Sequence, residues 1–320
     1  MKTRTLVAII VAASLILAGC LIFAVVMTML NWNFKGLLTT KYVTNECTVN
    51  EKFEDIKIVG TTEDVIFLPS EDGKVTVICY EEEKLKHSVK VTDGTLVIDR
   101  IDARRWFDHI GIISNSPKIT VYLPSGDYGD LSIKLSTGDI TLSPDHSFLA
   151  IEIKGSTSDV TCGASATGDV KIELNTGDIA INDICSRSLD LTVTTGRITV
   201  TKADVTENVN IKVSTGKSKL ENITCKSLTS SGSTGDLTLI GVIAAESFSI
   251  KRDPGEVKLE GCDAAELYIV TDTGDVSGSL LSEKVFITKT DTGDIRVPSS
   301  VVGGRCEITT DTGDISITVN

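Results

Sequence analysis

The chain is poor in the residues and motifs from which most active sites are built. Aromatic side chains make up 5% of its 320 residues, and only three residues are histidines. The sequence contains no G-x-S-x-G nucleophile turn, no HExxH helix, no phosphate-binding loop and no CxxC pair. It therefore predicts a protein that is not an enzyme and that needs no organic cofactor.

Positive charge is also scarce. The chain contains 31 Lys and Arg residues and 44 Asp and Glu residues, which gives a formal net charge of −13. Because a phosphate backbone binds to a basic surface, we expect no nucleic-acid partner. Helical periodicity is missing after residue 30, whereas Val, Ile, Thr, Ser and Gly are abundant, and this composition is typical of β-structure.

One long apolar run stands at the N-terminus. Leu6–Leu30 contains 25 residues and no charge, which is long enough to cross a bilayer. Lys2 and Arg4 precede it, and short basic N-termini stay in the cytoplasm. The pattern predicts a cytoplasmic segment at 1–5, a transmembrane signal anchor at 6–30, and a single-pass cell-membrane protein whose C-terminal part lies outside the cell.

The same run contains a lipidation motif. LAGC at 17–20 is similar to a bacterial lipobox, in which Cys20 would carry the lipid. The apolar run continues for ten residues after Cys20, where a lipoprotein normally turns polar, so the uncleaved helix is the favoured interpretation. Either anchor attaches the chain to a membrane.

A short motif, TGD or a close variant, recurs with a period of 19 or 20 residues. A period of this size is typical of a solenoid. We take the glycine of each motif as its marker, and one repeat has a serine there. The markers are Gly138, Ser158, Gly177, Gly196, Gly216, Gly235, Gly255, Gly274, Gly293 and Gly313.

Apolar residues stand at fixed distances from each marker. Positions two and four after it are apolar in most repeats, as in Ile140 and Leu142, and an alternating run precedes it, as in Leu131 and Ile133. Two short strands per repeat, stacked in register, predict an all-β fold, a β-solenoid similar to a parallel β-helix. A third inward column is expected twelve residues before the later markers, at Ile184, Ile223, Ile243, Cys262, Leu281 and Val301.

Boundaries follow from these patterns. We expect a polar linker at 31–48, an irregular β N-terminal part of the ectodomain at 49–125, and regular solenoid repeats at 126–320. Asp93-Gly94 between two alternating runs predicts a hairpin. Ten coils stacked at ~4.8 Å would form a rod on the order of 45 Å long, whose final coil ends the chain with no evident cap.

The repeated aspartates have two interpretations. Glycine allows a positive φ at the turn, and the aspartate after it can accept a hydrogen bond from a neighbouring backbone N–H. The last three repeats add a second aspartate, and six carboxylates in adjacent coils could instead bind calcium, a cation that prefers oxygen ligands. The calcium candidates are Asp272, Asp275, Asp291, Asp294, Asp311 and Asp314.

Two further groups of residues, three cysteines and the segment 104–109, contain side chains that could bind a ligand. Cys162, Cys262 and Cys306 occupy inward positions, and we expect buried small apolar side chains rather than disulfides or metal ligands. The segment RRWFDH at 104–109 combines residues that could bind a sugar, and its alternative is a loop packed over the end of the solenoid.

The layout as a whole is similar to a known family. A membrane span followed by FEDIKI, DGTLVI, ITVYLP and repeated STGDI resembles the bacterial putative-adhesin family, a β-strand-repeat domain of unknown function. The resemblance covers roughly residues 45–320. It implies an extracytoplasmic β-solenoid in the envelope of a Gram-positive bacterium, with no established enzymatic activity and no catalytic residue to carry over.

These observations predict a membrane-anchored, non-catalytic surface, adhesion or envelope-binding protein. Its expected partners are a cell-wall polymer, a surface glycan or an envelope protein. One alternative is an accessory or sensor component of a cell-envelope stress system. Another is a carbohydrate-active β-helix enzyme, which would need long insertions that coils of 19 or 20 residues do not contain.

Overall fold

The computed structural model describes residues 3–29, 31–32, 41–102 and 116–320. Helix α1 spans Thr3–Met29, and its part Ile9–Met29 is long and apolar enough to cross a membrane. The segment RRWFDH, considered above as a sugar site, lies outside the described residues. The remainder of the described chain is built of strands and turns.

Seven strands precede the regular repeats. They are β1 (Tyr42–Val49), β2 (Asp55–Val59), β3 (Asp64–Pro69), β4 (Val75–Glu82), β5 (Leu85–Thr92), β6 (Thr95–Asp102) and β7 (Lys118–Leu123).

Eighteen strands follow, as counted in the described chain. They are β8 (Gly126–Thr137), β9 (Ile140–Leu142), β10 (His146–Thr157), β11 (Val160–Cys162), β12 (Ser165–Ala166), β13 (Asp169–Thr176), β14 (Ile179–Ser186), β15 (Ser188–Thr195), β16 (Ile198–Val205), β17 (Asn208–Thr215), β18 (Ser218–Thr234), β19 (Leu237–Pro254), β20 (Val257–Thr273), β21 (Val276–Leu280), β22 (Lys284–Thr292), β23 (Ile295–Arg296), β24 (Gly304–Thr312) and β25 (Ile315–Val319).

The strands form two parallel ladders, one before and one after the markers. In the first, β8, β10, β13, β15 and β17 pair in order, and in the second β9, β11, β14 and β16 do so. Strands β18, β19 and β20 are long enough to run through both ladders. The inward residues of both ladders form one apolar core. The predicted all-β solenoid of about ten coils is confirmed.

Two columns of residues with positive φ lie at the corners of the coils. All the glycine markers have positive φ, for example +129° at Gly177, which a side chain would strain. A second corner, six residues after the marker, was not expected from the sequence. It also has positive φ, between +53° and +62°, at Asp183, Lys202, Asn222, Gly241 and Gly261.

The N-terminal part is more regular than the sequence indicated. Strand β1 starts at Tyr42, inside the predicted linker 31–48, because it pairs antiparallel with β4. Strands β2 and β3 pair in parallel with β8 and β9, so the solenoid continues into the region 49–125 that was expected to be irregular. The predicted hairpin at Asp93-Gly94 joins β5 to β6.

Burial confirms most of the predicted core columns. Ile140, Leu142, Leu131 and Ile133 are each no more than 2% exposed, and Cys162, Cys262 and Cys306 are fully buried and free. The third column is wrong at three positions. Val242 and Ala244 point inward in place of Ile243, whereas Leu281 is 50% and Val301 91% exposed. The last two belong to the end of the rod, where the order of the coils changes.

Candidate functional site

The aspartates that follow the markers form a hydrogen-bonded ladder along the rod. Asp139 Oδ1 accepts a bond from the backbone N–H of Asp159 (3.0 Å), and Asp159 Oδ1 accepts one from Asp178 (2.8 Å). The same bond joins Asp178 to Arg197, Asp275 to Asp314 and Asp314 to Asp294. Each aspartate therefore closes the turn of the adjacent coil, as the first of the two interpretations predicted.

Two cations interrupt the column in the middle of the rod. Arg197 Nη1 lies 3.6 Å from Asp178 Oδ2, and Lys217 Nζ lies 2.9 Å from Asp236 Oδ2. The contact with Lys217 lowers the pKa of Asp236 below its usual range. Stacked like charges at strand spacing repel, so these pairs relieve the neighbouring carboxylates.

The six calcium candidates lie on adjacent coils on either side of the turn. All six are exposed, and Asp291 and Asp294 have basic partners, with Lys289 Nζ 3.0 Å and Arg296 Nη2 2.9 Å away. No three of them bring carboxylate oxygens within 4.8 Å of one another. Calcium binding by this group stays a prediction.

The last two coils are not stacked in chain order. Gly274 N donates to Thr312 O (2.9 Å), not to the coil that follows it in sequence, and Gly313 N donates to Thr292 O (2.9 Å). Strand β24 thus lies between β20 and β22, and β25 lies between β21 and β23. The final coil, for which the sequence showed no evident cap, is therefore covered, because it is inserted beneath the penultimate one.

Two consecutive glycines make this insertion sterically feasible. Gly303 has a φ of +98°, and a Cβ on it would overlap the carbonyl oxygen of Glu283. A Cβ on Gly304 would overlap the carbonyl oxygen of Ala265. The backbone of the final coil passes between its two neighbours here with no room for a side chain.

A buried lysine fastens the penultimate coil to the body of the rod. The side chain of Lys284 is 4% exposed, and its Nζ lies 2.7 Å from Asp263 Oδ1 on β20. Burial alone would raise the pKa of Asp263, but the bonds from Lys284 and Ser282 lower it below the usual range. Lys284 therefore reaches past the inserted coil to hold the outermost one.

The penultimate coil leaves an open edge at this end of the molecule. Within the described chain β22 pairs only with β24, and β23 only with β25, so one side of each strand has free backbone groups. Apolar side chains gather beside them. We call β22, β23, the turn 281–283 and the loop 297–303 the terminal edge, and its exposed apolar residues are Leu281, Ile287, Ile295, Val301 and Val302.

A shallow polar groove runs beside the turns on the side of the rod. The groove has a volume of about 350 Å³ and is lined by Lys134, Lys154 and further residues of four neighbouring strands. A separate cleft of about 180 Å³ is lined by Lys212, Lys251 and several serines. Most residues of the groove and the cleft suit a polar ligand, in contrast to those of the terminal edge.

The sequence departs from the repeat at several positions near the terminal edge, and an analysis of the period alone does not reveal them. Pro298 cannot donate to a ladder and follows a strand of only two residues, β23. Gly278 stands where other coils have a large apolar residue, and Gly303-Gly304 is a pair without a counterpart in the other repeats. These departures mark the coils whose order changes.

Comparison with solved structures finds similar chains of low sequence identity. A protein described as a putative adhesin from Parabacteroides merdae is 13% identical, with a TM-score of 0.48, over 88% of this chain and 98% of that one. One from Bacteroides fragilis, also described as a putative adhesin, is 15% identical, with a TM-score of 0.40, over 87% and 97%. A protein described as a putative lipid binding protein from Parabacteroides distasonis is 15% identical, with a TM-score of 0.41, over 87% and 97%.

No curated protein matches the chain. A family model does, over residues 53–209 and again over 197–320, and these two matches together include nearly all of the chain after the helix. The resemblance to a family of adhesin-like proteins of unknown function is thereby confirmed. The chain belongs to the Toastrack DUF4097 family.

Proposed function

We propose that the chain is a membrane-anchored, extracytoplasmic binding protein without catalytic activity, which holds an envelope protein at its terminal edge. The observation that carries the proposal is the unpaired outer side of strand β22, with exposed apolar side chains beside it. A free strand edge is a template on which an extended segment of another chain can form backbone hydrogen bonds.

The order of the strands supports an anchor at one end and binding at the other. The chain enters the two ladders at β1, which pairs with β4 at the edge of the stack. Strands β22 and β23 are the last strands at the opposite edge. With α1 in the membrane and Lys2 and Arg4 in the cytoplasm, the terminal edge would stand thirteen strand spacings from β1, on the order of 60 Å.

The chemistry of the edge favours a protein over a polysaccharide. Val301 and Val302 are 91% and 58% exposed, and Ile287 is 48% exposed on β22. A cluster of exposed aliphatic side chains is typical of a protein interaction site, whereas a wall polymer would be expected to use polar groups such as those of the lysine-lined groove. Adhesion, which the descriptions of the structural neighbours suggest, would then occur through a protein receptor.

Site-specific photocrosslinking in intact cells tests this proposal. A photoreactive residue at Ile287 or Val301 should give one discrete adduct with another envelope protein, and the same residue at Asn210, exposed on mid-rod strand β17, should not. A second change, Ile295→Lys, should abolish the adduct at Ile287 without lowering the melting temperature. Equal labelling at all three positions, or an adduct with a second copy of this chain, would contradict the proposal.

Sedimentation with isolated cell walls separates the polymer and calcium hypotheses. We expect the purified chain to stay in the supernatant, both with calcium and with chelator. Pelleting that is lost on Lys134→Gln and Lys154→Gln would move the function to the polar groove. Pelleting that needs calcium and is lost on Asp291→Asn and Asp294→Asn would establish the aspartate candidates as a calcium site.

A further inference from the structure

The end of the rod opposite the terminal edge contains a buried group of potential metal ligands. Alternation along β4 directs Cys79 and Glu81 inward, and the turn into β5 brings His87 against them. Their ligand atoms, a thiol sulfur, a carboxylate oxygen and an imidazole nitrogen, lie within 4.8 Å of one another. No other three such residues in the described chain are this close.

The carboxylate and the imidazole are already aligned. Glu81 Oε2 lies 2.6 Å from His87 Nδ1, and the side chain of each residue is 1% exposed. Asn45 donates from its amide to the other oxygen of Glu81, which fixes the carboxylate plane. A cation between these atoms would replace the hydrogen bond that now joins them.

A second carboxylate stands behind the imidazole, where metal sites commonly have one. His87 Nε2 makes no hydrogen bond within the described residues, and it lies 3.3 Å from Glu63 Oε1. Glu63 is fully buried and is held by Arg100 Nη2 at 2.9 Å and by the backbone N–H groups of Thr61 and Thr62. A metal-bound histidine usually donates its other N–H to such a carboxylate, which orients the ring.

The group also has room and suitable charge. Cys79, Glu81 and His87 line a cavity of about 300 Å³, together with Cys47. Glu63 and Arg100 offset each other, so a divalent ion would be neutralised by Glu81 and a thiolate of Cys79. Mixed sulfur, nitrogen and oxygen ligands select borderline transition ions such as zinc, and not calcium or magnesium.

We propose that the N-terminal end of the solenoid binds one zinc ion through Cys79, Glu81 and His87, with Glu63 as the residue that positions His87. The fourth coordination position faces the cavity, where a water molecule completes the tetrahedron and leaves Cys79 as the one sulfur ligand. The site joins β4 to β5, and the ion would clamp the two ladders together at this end of the rod. It is independent of the terminal edge and of calcium.

Cobalt titration of the metal-free full chain in detergent tests the site. Cobalt should bind with one-to-one stoichiometry and produce a sulfur-to-cobalt charge-transfer band, and zinc should abolish the band by displacement. Cys79→Ser should remove the band, whereas Cys185→Ser, a change at an exposed cysteine outside the cluster, should leave it intact. No band, or a band that survives Cys79→Ser, would overturn the proposal.

Two further measurements separate a ligand from a structural role. Glu63→Gln should keep the band but weaken cobalt binding by about 10- to 100-fold, the usual cost of losing the partner of a metal-bound histidine. If Cys79→Ser fails to fold, the ¹¹³Cd resonance of the unmodified chain answers the same question. A shift typical of mixed sulfur and nitrogen ligation supports the site, and one without sulfur ligation overturns it.

Discussion

At most turns of the rod, a single aspartate oxygen accepts the backbone hydrogen bond that closes the turn of the adjacent coil. The backbone N–H that follows one marker points at the carboxylate of the adjacent coil, as between Asp178 and Asp159. The bond uses one acceptor oxygen, which a neutral amide side chain could also supply. The repeated aspartate is therefore explained by the geometry of the turn.

This role predicts different results for two substitutions at Asp159. Asp159→Ala removes the acceptor for the N–H of Asp178 and should lower the free energy of unfolding by about 0.5–1.5 kcal/mol. Asp159→Asn keeps an acceptor oxygen and removes a repulsive charge from the column, so it should be neutral or slightly stabilising. Urea unfolding of both variants decides the matter, and equal destabilisation would show that the charge itself is needed.

A second prediction concerns the contribution of Lys284 to stability. Lys284→Met retains the length of the side chain but leaves the half-buried Asp263 without its cation, which should cost roughly 1–3 kcal/mol. Lys289→Met is the matched control, because that lysine is exposed and its ion pair with Asp291 contributes little. Thermal melts of both variants measure the difference.

The pH dependence of the same pair has a definite sign. The folded-state pKa of Asp263 is lowered, so its contribution is present above the ordinary value of 3.8 and is lost as the pH falls through the folded value. In Lys284→Met, the stability lost as the pH falls below 3.8 should be smaller than in the unmodified chain. An unchanged slope of stability against pH below 3.8 would show that the pair does not act as described.

At the scale of elements, the insertion of the final coil depends on Gly304. Gly304→Ala places a methyl group against the carbonyl oxygen of Ala265, where neither backbone can move without breaking the ladder. We expect a loss of more than about 2 kcal/mol, together with rapid hydrogen exchange in β24 and β25. Gly126→Ala serves as the control, since no atom lies within 4 Å of the added carbon and φ is not positive. Normal protection of β24 in Gly304→Ala would contradict the inserted order.

At the scale of the whole molecule, coils are units that can be removed. Deletion of 197–216 joins one marker to the next, so β15 can pair with the strand that followed β17 in the same register. We expect a folded, shorter rod with a modestly lower melting temperature, whereas deletion of 197–206 should prevent folding of the adjacent coils. Circular dichroism and limited proteolysis compare the two, and equal unfolding would contradict a coil-by-coil architecture.

The spacing of apolar residues was sufficient to predict the solenoid and most of its inward positions. Ile140, Val160 and Ile179 recur two residues after their markers, and a strand has only one way to bury such a column. The membrane-spanning length of the first helix likewise depends only on composition. Local patterns of this kind determine structure because every coil meets the same neighbours.

Only the tertiary structure shows where one coil differs from the others, at the two ends of the rod. The sequence lists the final repeats in one order, but the choice between Thr292 and Thr312 as partner of Gly274 depends on contacts that periodicity does not distinguish. Cys79 and Glu81 on β4 meet His87 on β5 because the turn at Glu82 and Leu85 folds β4, which also pairs with β7, against β5, which also pairs with β6. A repeat determines which residues point inward, whereas the packing of the two ends determines which of them remain available to a partner or an ion.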